Sequence, residues 1–119
     1  MRHLSAVELA EWLAEFPDDD TGAPTGSSQR QRPLLLDVRE PWEYAICRLA
    51  GSQPLPMSAL PSNLDRLDRQ AETVVICHHG IRSLQVAHFL ERKGFASVYN
   101  LSGGIDAWAD DVDPLMRKY

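Results

Sequence analysis

The chain has 119 residues, 44% of them hydrophobic and 24% charged, which is the length of one domain and the composition of an ordinary globular protein with a single core. Its 12 Lys and Arg against 17 Asp and Glu leave a net charge of −5, so no basic field draws it to nucleic acid or to an anionic membrane surface. No apolar run reaches the roughly 20 residues of a membrane span, and Met1-Arg2-His3-Leu4-Ser5 lacks the apolar stretch of a secretory signal, so the cytoplasm is the expected location.

Two cysteines, Cys47 and Cys77, are too few for the disulfide framework of a small secreted domain. They stand 30 residues apart, with His78 and His79 directly beside one of them. That is not zinc-ligand spacing, so no metal is expected.

In chain order, Leu4 reads as the end of a short first strand. Ser5 and Glu8 form a capping box ahead of Val7, Leu9, Ala10, Trp12, Leu13 and Phe16. Residues 5–16 are therefore read as an amphipathic helix stopped by Pro17. Residues 17–32 hold no apolar residue larger than Pro or Ala, so they are expected to form a mobile surface loop, with partner docking as the alternative reading. Pro33 to Val38 is a continuous apolar run that suits a strand covered on both faces, with Asp37 at its C-terminal end. Arg39 to Ile46 reads as a short helix with Pro41 near its first turn. Two prolines between Gly51 and Pro56 limit any strand there to a brief edge. Leu60, Leu64 and Leu67 indicate a helix opening at Ser58 or Pro61 and ending at residues 70–72.

Thr73 to Cys77 is the second clear β-run. Arg82 to Lys93 reads as a helix, with Arg92 and Lys93 at its negative end and Gly94 just beyond it. A further strand covers 95–99, and Ser102-Gly103-Gly104 turns into a last helix over 105–109. Residues 110–119 are expected to be a C-terminal tail beyond the compact part. Trp12, Trp42 and Trp108 have the neighbours of core or boundary residues. The alternation argues for an α/β fold in one domain over residues 1–119, a central parallel sheet of about five strands with helices on both faces.

The stretch with chemical content is Cys77-His78-His79-Gly80-Ile81-Arg82-Ser83, a loop between strand and helix. The thiolate is the reactive form of cysteine, and three features favour it. Successive backbone N–H groups of such a loop form an anion-binding nest. The following helix adds the positive end of its dipole. Arg82 is permanently charged, and its fork suits an oxyanion. Gly80 lets the backbone curl tightly, while His78 and His79 supply donors at the rim and can shuttle a proton near neutral pH. The bland alternative is a packed core cysteine, which would gain nothing from Gly80 and Arg82 beside it.

This loop resembles the active-site loop of the rhodanese family, the single-domain sulfurtransferases. Leu35-Leu36-Asp37-Val38-Arg39-Glu40-Pro41-Trp42-Glu43-Tyr44 resembles that family's first signature. Tyr99-Asn100-Leu101-Ser102-Gly103-Gly104-Ile105-Asp106-Ala107-Trp108 resembles its closing segment. The resemblance implies a rhodanese-like fold and a mechanism. Cys77 takes the outer sulfur of a small anionic donor such as thiosulfate, becomes a persulfide, and passes the sulfur to cyanide, a thiol or a protein acceptor. The donor would be bound by His78, His79, Gly80, Ile81 and Arg82, with Ser83, Asp37 and Arg39 in support, and no cofactor is required.

The same fold also hosts binding modules without turnover, and this is the competing class. Phosphatase or arsenate-reductase chemistry is the weaker enzyme reading, because related phosphatases place five residues between cysteine and arginine where Cys77 and Arg82 are separated by four. Arg48-Leu49-Ala50-Gly51-Ser52 keeps Gly51 but departs from the family's usual histidine- and proline-containing segment, so no active-site role is carried over to it; Arg48 either adds positive potential or faces water, and the second is the reading taken. Asp37 and Arg39 are read as structural rather than catalytic, a buried carboxylate capping backbone N–H groups or pairing with an arginine, and Cys47 as a packed thiol rather than one that resolves a Cys77 persulfide.

Overall fold

Short leucine- and valine-rich runs alternate between two faces of one sheet, and most helix ends carry the stop and start signals of the chain. The computed structural model describes residues 1–16 and 31–119; except for its last two residues, the expected surface loop lies outside the described residues. β1 (Arg2–Leu4) leads into α1 (Ala6–Leu13). Ser5 Oγ accepts from Glu8 N and Glu8 Oε1 accepts from Ser5 N, the reciprocal cap read from the sequence. α1 is shorter than the expected 5–16, because its end tightens into a turn in which Phe16 N donates to Leu13 O. β2 (Leu34–Asp37), α2 (Pro41–Ile46) and β3 (Gln53–Pro54) follow.

The helix expected from Ser58 is instead a 3₁₀ segment, Met57–Arg66, interrupted at Asn63. Leucines three and four apart suit either helix type, and Pro61 lacks the N–H that an α-helical bond there would need. β4 (Glu72–Ile76), α3 (Ile81–Arg92), β5 (Ser97–Leu101) and α4 (Gly104–Asp111) complete the regular elements among the described residues. β5 begins two residues later than the expected 95–99. Gly94 takes φ +90° at the end of α3, and Phe95 N donates back to Leu90 O. Those two residues therefore complete the helix stop rather than start the strand.

The strand order is β1-β5-β4-β2-β3, with every pairing parallel. From β2 the chain moves outward to β3, and from β4 it moves outward the other way to β5. The order reverses between β2 and β4, and open α/β sheets place their sites in the crevice at such a reversal. Asp37 and Cys77 stand at the C-terminal ends of these two strands.

On one face, Leu36, Val38, Val75 and Val98 pack with Leu60, Val86, Ala87 and Leu90. On the other, Leu35, Val74, Ile76, Tyr99 and Leu101 pack with Leu9, Trp12 and Ile105. The sheet is thus covered by helices on both sides, as expected. Among the described residues no helix is long and apolar enough to cross a membrane.

Two expectations need correction. Residues 110–119 do not lie beyond the compact part: α4 runs to Asp111, and Met116 and Tyr119 pack against the second apolar layer. Trp42 is 61% exposed, neither the core nor the boundary residue expected.

Candidate active site

β4 is buried from Thr73 to Ile76 and delivers Cys77, itself 1% exposed, to the crevice. Gly80 N donates to Cys77 Sγ at 3.0 Å, and Ser83 Oγ lies 3.3 Å from the sulfur. Of the N–H groups expected to ring the sulfur, Gly80 is the one whose bond to Sγ is formed. Gly80 reaches this position with φ +93° as the N-cap of α3. A side chain there would also meet Gly103 N at 3.1 Å and Leu101 O at 3.2 Å.

The loop is shaped from outside by the β5–α4 turn. Ile105 N and Asp106 N donate to Cys77 O and His78 O at 2.9 and 3.0 Å. These are free N–H groups of the first turn of α4, and here they hold carbonyls of the cysteine loop. Gly104 permits the approach, since a Cβ on it would sit 2.4 Å from His78 O and 2.5 Å from Cys77 O. Asn100, buried at the end of β5, donates through Nδ2 to Gly80 O at 3.2 Å and accepts from Ser83 Oγ at 2.5 Å. Ser83 has one hydroxyl proton. While Asn100 holds it, the Ser83 oxygen can only accept from a Cys77 thiol; a thiolate would compete for the same proton.

Two carboxylate–guanidinium pairs flank the loop. Asp37 and Arg39 are both fully buried and joined by three contacts of 2.7 to 3.1 Å. Arg39 also donates to Cys47 O at 2.6 Å and Glu43 O at 3.3 Å. Burial works against the Arg39 charge, but Asp37 and the Tyr119 hydroxyl outweigh it and hold the guanidinium protonated. Asp37 also accepts from Arg39 N at 3.1 Å, so the carboxylate both caps a backbone N–H and pairs with an arginine.

In the second pair Arg82, the residue expected to help hold the donor, is engaged by a carboxylate. Both terminal nitrogens of its fork are taken by Glu43, at 2.7 and 2.8 Å. Glu43 also accepts from Glu40 N at 2.9 Å and from the Tyr119 hydroxyl at 2.7 Å. Chiefly through Arg82, its carboxyl is held down to about 2.

Tyr119 joins the two pairs, its oxygen accepting from Arg39 Nη1 at 3.0 Å while its proton goes to Glu43. Burial, above all, pushes the phenol up to about 12, so it remains a donor. Its ring stacks on His78 at 4.0 Å, and His78 in turn stacks on His79 at 4.0 Å. Burial and the neighbouring His79 lower the His78 pKa, which favours the neutral imidazole. Trp42 and Tyr119 meet nearly at right angles, with ring centroids 5.8 Å apart.

A rhodanese-like domain is matched over residues 22–111. The chain belongs to that family. It is 42% identical over 89 residues to the rhodanese-like/PpiC domain-containing protein 12 of Arabidopsis thaliana, covering 71% of this chain but only 30% of that protein's length. It is 35% identical over 80 residues to the thiosulfate sulfurtransferase GlpE of Pseudomonas fluorescens, covering 67% of this chain and 73% of GlpE. The crystal structure of a rhodanese-like domain protein from Staphylococcus aureus superposes with a TM-score of 0.75 at 26% identity, covering 94% of this chain and 95% of that one.

Within this rhodanese-like domain, the residues singled out in the sequence are partly brought together. Cys77, Gly80 and Ser83 converge on the sulfur. Ile81 is 69% exposed. His79 is exposed, and both imidazoles lie about 4 Å from Asp106. Arg48 faces water, bonding Tyr44 O and lying over the Tyr44 ring. Cys47 is partly buried, with Sγ 3.9 Å from Arg39 Nη1. Among the described residues no three His, Cys, Asp or Glu side chains converge as metal ligands.

Sequence reasoning missed Glu43, Asn100, Gly104 and Tyr119. Three of them lie inside the stretches that resemble the family's signatures, which is the signal that could have found them. Tyr119 had none.

Proposed function

We propose that the protein is a sulfurtransferase that moves a sulfane sulfur from a donor such as thiosulfate to a thiophilic acceptor through a persulfide on Cys77. The observation that carries this reading is the Gly80 N–H aimed at Cys77 Sγ at 3.0 Å, at the tip of a central strand and at the mouth of a helix. An N–H aimed at sulfur is placed to stabilise negative charge that develops there, and charge-assisted bonds of this kind are the stronger ones.

In the first step, the Cys77 thiolate attacks the outer sulfur of thiosulfate. The new bond is Cys77 S–S, the bond broken is the donor's S–S, and sulfite leaves with the electron pair. In the second step, an acceptor attacks the outer sulfur of the persulfide. With cyanide the products are thiocyanate and the original thiolate; a small thiol or a protein thiol would accept the sulfur in the same way. Preorganised N–H donors in the loop suit the persulfide anion as they suit other developing anions. Neither step calls for a metal or an organic cofactor, and the cytoplasm, where donor thiols stay reduced, is the location this reading favours.

The test is thiocyanate formation from thiosulfate and cyanide, together with the mass of Cys77 after donor treatment. Wild type should form thiocyanate and gain one reducible sulfur on Cys77. Cys77→Ser should do neither. Equal thiocyanate from wild type and Cys77→Ser would overturn the proposal and leave a binding module of the same fold.

A further inference from the structure

A doubly charged donor is best met by a cation at the mouth of the loop, and Arg82, Arg39 and Lys118 each already face a carboxylate. The fork of Arg82 closes on both oxygens of Glu43. Arg39 is closed on Asp37 beneath it. On the far side, Lys118 contacts Asp106 and Asp110 at 3.3 and 2.6 Å. His78, under the Tyr119 ring, favours its neutral form.

Glu43 is itself held in place. It is buried and receives bonds from Arg82, the Glu40 N–H and the Tyr119 hydroxyl. Swinging Arg82 toward a donor would leave this buried carboxylate without its main countercharge, a costly state in a protein interior. The rim next to it presents Trp42 and Ile81, two large apolar side chains that are mostly exposed.

We propose that Glu43, secured by Tyr119, is a specificity-determining residue that occupies the Arg82 fork and so turns the site from dianionic donors toward persulfide donors of low charge, R–S–SH. This rests on the sulfur-transfer reading above and names the donor class for it. The step balances without an added oxidant: the Cys77 thiolate bonds to the terminal sulfur of R–S–SH, the donor's S–S bond breaks, and R–S⁻ leaves with the electron pair. The proton stays on the transferred sulfur or passes to R–S⁻. No sulfonate has to be held, so Arg82 need not leave Glu43. Glu43 and Tyr119 act through Arg82 and do not touch the reacting sulfur in this scheme.

The experiment compares the rate of sulfur loading on Cys77, followed by mass spectrometry, for thiosulfate and for a small alkyl hydropersulfide. Wild type, Glu43→Gln and Tyr119→Phe are measured at low and high salt, after thermal melts confirm that each is folded. Wild type should load faster from the hydropersulfide. Glu43→Gln should shift the ratio of the two rates toward thiosulfate by about tenfold, the scale of one charge-assisted hydrogen bond. Its thiosulfate rate should also become salt-sensitive, which a merely structural effect would not produce.

Tyr119→Phe keeps the ring but removes the bond to Glu43. It should shift the ratio in the same direction by about threefold, the scale of a weaker neutral bond, and it decides the matter if Glu43→Gln does not fold. A ratio that is the same in wild type and the folded variants overturns the inference while leaving sulfur transfer standing. Absence of loading from either donor overturns sulfur transfer itself, and the inference with it.

Discussion

Asp37–Arg39 and Glu43–Arg82 are the same chemical pair at two depths. In the inner pair both side chains are fully buried; in the outer pair Glu43 is 4% and Arg82 36% exposed. The inner guanidinium spends its remaining donors on the backbone oxygens of Cys47 and Glu43 and on Tyr119, so it ties the end of β2 to the segment after α2. The outer guanidinium reaches water and sits at the opening turn of α3, within the cysteine loop. Depth therefore separates the two jobs. A pair with every donor used inside the fold is scaffold, and a pair with one face in solvent can shape what approaches the site. Coulombic attraction alone does not distinguish them, because desolvation sets what each is worth.

The largest effect expected from breaking this comparison is on the inner pair. Asp37→Asn leaves the Arg39 charge buried without its partner and should lower unfolding free energy by about 3 to 5 kcal/mol, read from urea midpoints. Glu43→Gln should cost less, about 1 to 2 kcal/mol, because Arg82 can turn to water. Equal losses would show that depth is not what separates the two pairs.

Tyr119→Phe comes next, at about 1 kcal/mol for the hydroxyl it removes. The hydroxyl bonds both pairs, so its effect should be smaller in a Glu43→Gln background than in wild type. Strict additivity in that double-mutant cycle would mean that Tyr119 does not couple to Glu43.

The smallest effect near neutrality is that of pH. Glu43 has its pKa depressed from 4.5 to about 2. Its contribution is therefore fully present above 4.5 and is lost as pH falls toward 2. The stability gap between wild type and Glu43→Gln should stay constant from pH 7 to 5 and close on further acidification. A gap that persists at pH 2 would contradict the assigned partner.

What the sequence revealed was mostly local. The Ser5–Glu8 cap, the Gly94 stop and the brief proline-limited β3 each depend on residues within a few positions of one another, where spacing is informative. The cysteine loop was legible for the same reason, since Cys77, Gly80 and Ser83 are consecutive turns of one segment. The 3₁₀ segment was misread because leucine spacing does not separate three residues per turn from 3.6.

The outer pair was hidden because Glu43 and Arg82 are 39 positions apart and meet only when β2 and β4 lie side by side. Tyr119 was hidden more deeply: it joins Arg39 across 80 positions from a segment whose composition reads as tail. A tyrosine near a chain end carries no local signature of its partner, and its role rests entirely on tertiary placement.

The position of β1 has a consequence for folding on the ribosome. Among the described residues Arg2, His3 and Leu4 pair with Tyr99, Asn100 and Leu101, so within this domain the earliest strand must wait for the latest. Synthesis proceeds at about 5 to 20 residues per second, which leaves β1 waiting several seconds while the central strands are made and paired. Closing a contact of that sequence separation is among the slowest events in a parallel sheet. Docking of β1, and with it the Ser102 N–H bond to Leu4 O at the base of the glycine turn, therefore cannot precede synthesis of β5, the strand next to the turn that completes the cysteine loop.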